Sequence, residues 1–100
     1  MRWMLAVSMA MIAVPAAAGN AALQLATVLA AEEFCGLSYD QPAIAAWIAR
    51  NVAADDLNFA SDLRTFIAGR TYELRSIGAS EKTALCAQTA RVAKSYGFSR

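Results

Sequence analysis

The chain has 100 residues, a formal net charge of +1 and no histidine. Near-neutral charge argues against nucleic acid as a partner, and the missing imidazole removes Ser-His-acid and Cys-His nucleophilic sites as well as histidine-ligated zinc and haem. Hydrophobic residues make up 58% of the chain, but much of that sits in an N-terminal apolar run and in alanine, so the ceiling is one small domain.

Residues 1–18, MRWMLAVSMAMIAVPAAA, place one cation (Arg2) before an uncharged apolar run, Pro15 and small residues. This is the anatomy of a cleavable secretory signal peptide. Ala16 and Ala18 suit cleavage before Gly19, and Ala17 with Gly19 suits cleavage before Asn20. The competing reading is an uncleaved membrane anchor, because no charge intervenes between Arg2 and Glu32. Pro15, Gly19, Asn20 and Gln24 break that run, which favours cleavage and a periplasmic or secreted protein. Membrane contact is then expected only through an N-terminal segment that stays uncleaved.

Residues 19–100 read as a single all-α domain, a small bundle of about four helices with no strand. The first helix runs from about Asn20 to Cys35, with Leu25, Val28, Leu29, Phe34 and Cys35 as its apolar positions and Gly36 as its left-handed stop. Asp40 is placed to cap the second, with Pro42 in its first turn and Ile44, Trp47, Ile48 and Val52 on one face. Asp55 and Asp56 are read as caps for a third helix, about Asp56 to Ile77, whose core residues are Phe59, Leu63, Phe66, Ile67, Leu74 and Ile77. Gly69 inside it marks a close crossing or a kink. Gly78 ends that helix, Ser80 opens the fourth, and Leu85, Thr89, Val92 and Tyr96 carry its apolar side. Gly97 and Phe98 form its C-terminal cap and apolar contact.

The two cysteines, Cys35 and Cys86, have four conceivable uses: a disulfide, a reactive thiol, part of a metal site, or buried packing. Cys35 follows Glu32 and Glu33 near a helix C-terminus, which disfavours a thiolate. A two-cysteine metal site lacks further soft ligands, and a redox pair has two residues between its cysteines. In an exported small domain the pair is therefore expected as a disulfide.

Adjacent carboxylates on a helix diverge by about 100° and do not converge as an acid and base. Neither a calcium loop nor a glycine-rich phosphate loop is present. No catalytic residue, metal or cofactor is expected, and the protein is read as non-enzymatic.

Charge is uneven along the chain. Residues 19–63 hold six acids and one base, net −5, whereas residues 64–100 hold seven bases and two acids, net +5. The plain reading is neutralisation between packed helices. The functional reading is a polar surface that takes a protein partner through Arg64, Arg75, Arg91 and Lys94.

From Cys35 to about Lys94 the chain resembles the small periplasmic acid-stress chaperones of the HdeA type. The likeness rests on Cys35 followed by Asp40-Gln41-Pro42 entering an alanine-rich helix, and on Cys86 followed by Ala87-Gln88 and a basic helix. Asn58 to Gly78 lies outside it. The resemblance implies a binding protein that protonation opens to unfolded clients while its disulfide limits the opening. The alternative is an accessory subunit of a cell-envelope complex, its helix faces covered by one specific protein.

Overall fold

The computed structural model describes residues 18–99, with side chains from residue 21 onward. Apart from Ala18, the leader read over residues 1–18 lies outside the described residues. Four helices follow in order: α1 (Ala18–Phe34), α2 (Gln41–Asn51), α3 (Phe59–Leu74) and α4 (Ala79–Ser95). Extended pairing among the described residues is limited to one isolated antiparallel bridge, Tyr39 with Ser99.

α1 is the central helix. α3 packs closely along it, and α4 lies against it over a shorter patch. Seven described positions of α1 are buried, five of them alanines (Ala21, Ala22, Ala26, Ala30 and Ala31) beside Leu25 and Val28. A helix apolar on nearly every side belongs inside a bundle, which is why its amphipathic face looks poorly defined in the sequence. Small side chains spaced four apart, Ala22, Ala26 and Ala30, let a neighbouring backbone come close.

Two of the three glycine stops form as the sequence requires; the third, Gly78, does not, because α3 already ends at Leu74, short of Ile77, and Gly78, with φ −82°, is the N-cap of α4. Gly36 adopts φ 69° and Gly97 φ 84°. After α1 the Leu37 amide donates to the Glu32 carbonyl (2.8 Å) and the Gly36 amide to the Glu33 carbonyl (3.2 Å). After α4 the Phe98 amide donates to the Ala93 carbonyl (2.8 Å) and the Gly97 amide to the Lys94 carbonyl (3.0 Å). These are paired Schellman bonds, in which left-handed backbone at the glycine lets the chain satisfy the last open carbonyls of the helix. The second one turns Phe98 inward, where it is completely buried.

Phe98 anchors an aromatic chain through the core. Its ring centroid lies 5.6 Å from that of Tyr39 and 5.4 Å from that of Tyr96, and Tyr96 in turn lies 5.4 Å from Trp47. These offset and edge contacts attach α2 to the C-terminal segment. The Asp40 amide donates to the Phe98 carbonyl (2.8 Å), closing the loop between α1 and α2 onto the same segment.

Three local expectations are corrected. α3 begins at Phe59, with Asn58 at the N-cap, rather than at Asp56. The Asp56 carboxylate accepts from the Asn58 amide (3.2 Å), a bond to the second residue on, which makes a turn in place of a helix cap. α4 starts at Ala79 with Gly78 at its N-cap, so Ser80 lies inside the helix. Gly69 marks no close crossing: it is exposed within a continuous α3, and a Cβ there meets nothing within 4 Å. Asp40 does hold the N-cap of α2 with extended backbone, although its carboxylate makes no capping hydrogen bond.

Candidate protein-binding surface

The disulfide forms between Cys35, just after α1, and Cys86, midway along α4, with a Cα separation of 5.5 Å and a sequence separation of 51. Such a bond is sustained by an oxidising, extracytoplasmic environment. Among the described residues no helix is long and apolar enough to cross a membrane. One turn before Cys86, the Lys82 ammonium stands 4.6 Å from the centroid of the Phe34 ring, so α1 and α4 are tied twice at this end.

A groove of about 410 Å³ opens between the first half of α1 and the second half of α4, with Leu23, Thr27, Val28, Gln88, Val92 and Tyr96 among its walls. Its surface is largely apolar, and Leu23 remains 47% exposed. A second opening, about 550 Å³, lies between the end of α2 and the start of α3, walled by Ile48, Val52 and Phe59. Leu57 stands at its edge, 90% exposed.

The loop from α1 to α2 is held by Glu32 and Tyr39. The Glu32 carboxylate accepts from the Tyr39 amide at 2.8 Å, and the Tyr39 hydroxyl donates to the Val28 carbonyl at 2.9 Å. Burial, with the nearby Glu32 charge, pushes the Tyr39 phenol up from 10.0 to about 12. Glu32 thus does a structural task inside the acidic half, whereas Glu33 is exposed beside the disulfide.

All four cations proposed from the sequence are exposed. Arg64 is on α3 and Arg75 just beyond its end, while Arg91 and Lys94 are on α4. Both helices pack on α1. Arg91 is the one tied to the groove, donating from Nη1 to Gln88 Oε1 at 3.3 Å. Between described residues the one ion pair is Arg70 with Glu73 (2.9 Å), both within the basic half. No group of three or more acidic or cysteine side chains among the described residues is arranged to hold a metal.

Sequence reasoning missed the groove. Leu23 falls outside the apolar series Leu25, Val28, Leu29, and Gln88 looks like ordinary surface. The available signal was a leucine on the otherwise polar strip of α1 that also carries Gln24 and Thr27. No protein-family model, curated protein or solved structure matches the chain.

Proposed function

We propose that this is an exported, non-enzymatic protein that binds other proteins through the apolar groove between α1 and α4. The observation that carries the reading is that groove: an open, largely apolar trough between two helices, the kind of surface that takes a helix or an extended apolar segment. Arg91 at its edge supplies the charge that orients a partner. Its shallowness favours a protein segment over a small molecule, which needs most of its own surface enclosed.

An acid-stress chaperone role is the finer form of this proposal. The charge division supports it, because acid that protonates carboxylates, at about pH 4 and below, removes the negative half and leaves the positive half to repel itself. Dye binding and protection of an aggregating client protein then rise between about pH 4 and pH 2. An unchanged fold and no client protection at about pH 2 removes the chaperone form. Capture of one protein at fixed stoichiometry at neutral pH identifies the alternative, an accessory subunit.

A further inference from the structure

Leu57 and the α1–α4 groove are both apolar, and the charges beside them are opposite in sign. Leu57 is a lone aliphatic side chain, 90% exposed, in the turn between α2 and α3, and it directly follows Asp55 and Asp56. The groove is an apolar trough with Leu23 at its open side and the Arg91 guanidinium hydrogen-bonded to its wall residue Gln88. The described part of α1 bears no charge before Glu32, so nothing on that wall offsets Arg91. Lys94, two residues beyond Val92, points about 160° away around α4. No residue lines both the groove and the opening that Leu57 borders, so the knob of one molecule does not fill its own groove.

We infer that Leu57 of one copy docks in the α1–α4 groove of a second copy, with Asp55 and Asp56 set against Arg91 of the second copy. The inference rests on these two surfaces and not on the binding of any foreign protein. A two-fold alternative would place Leu57 of each copy in the other's Ile48–Val52–Phe59 opening. That arrangement brings two Asp55–Asp56 pairs face to face, and like charges so placed disfavour it. The knob-in-groove contact leaves one free knob and one free groove in every pair, so association continues past the dimer unless a ring closes. One leucine with its charged flank falls short of the roughly 1,000 Å² of a stable interface, which makes the association weak and concentration-dependent.

The test is sedimentation of the protein, as its producing cell leaves it, over a wide concentration range at neutral pH. The average mass is expected to climb past that of a dimer and to fall with added salt. Leu57→Asp and Arg91→Glu are each expected to weaken association by about tenfold or more. Both positions are exposed, and circular dichroism checks that the variants stay folded. If either does not, Leu57→Ala and Arg91→Gln replace them. An equimolar mixture of the two variants is expected to recover association that stops at the dimer, because one variant keeps a working groove and the other a working knob. A monomer at every concentration overturns the inference, as does association that neither variant changes. So does a dimer that Arg91→Glu leaves intact and that Asp55→Asn with Asp56→Asn strengthens, which would be the two-fold arrangement.

Discussion

Tyr39 concentrates several of the contacts that hold the first loop in place. Its ring packs on Phe98, its hydroxyl donates to the Val28 carbonyl, and its amide donates to the Glu32 carboxylate. Because the folded phenol titrates at about 12, above its ordinary value of 10.0, the fold holds a proton that the unfolded chain releases first. The stabilisation is therefore complete below about pH 10 and is lost as pH rises toward about 12. Urea denaturation at a series of alkaline pH values should show this decline, and Tyr39→Phe should flatten it while lowering neutral-pH stability by about 1 kcal/mol for the lost hydrogen bond. Gly69 is expected to behave oppositely. With open space at its Cβ and helical backbone, Gly69→Ala should raise stability by about 1 kcal/mol in the same assay. The sequence identified the cost of that glycine but assigned it a packing role, since spacing alone does not say which side of α3 faces α1.

At the scale of elements, four helices and two of the three glycine stops were legible because each depends on local chemistry: Gly36 and Gly97 at left-handed positions, Pro42 in the first turn of α2, and apolar residues at helical spacing. The start of α3 was not, because Asp56 can bond a turn amide as readily as a helix amide, and the choice is made by tertiary packing of Phe59. The role of α1 as the buried centre was also hidden, since alanine is as common on exposed helices as between packed ones. The pairing of Cys35 with Cys86 followed from compartment and number, and it closes a loop spanning 51 residues. In the chain-entropy model that closure contributes about 4 kcal/mol. Replacing both cysteines with serine should lower the denaturation free energy by about that much, enough to leave a domain of this size barely folded at 37 °C. A loss well under 1 kcal/mol would mean that helix packing alone holds α4 on α1.

For the whole molecule, the division of charge was plain in the sequence, but how it is used was not. Between described residues the single ion pair, Arg70 with Glu73, lies within the basic half and is exposed. High salt at neutral pH should therefore change the folding stability little, by less than about 1 kcal/mol, while weakening association more strongly. Acid at about pH 4 and below should loosen the bundle through repulsion among the remaining cations, with the disulfide keeping the end of α1 against the middle of α4. The groove escaped the sequence reading for a physical reason: its walls come from α1 and α4, so it is a relation between residues 60 or more positions apart.

The most direct measurement is site-specific photo-crosslinking in the producing cell, with the reactive group placed in turn at Leu23, at Val92 and, as a control, at Tyr72. Tyr72 is 73% exposed and distant in sequence from both groove walls. The account predicts adducts containing another protein from Leu23 and Val92 and few from Tyr72. Adducts equally frequent from all three positions, or none from the groove at either neutral or acidic pH, would contradict it.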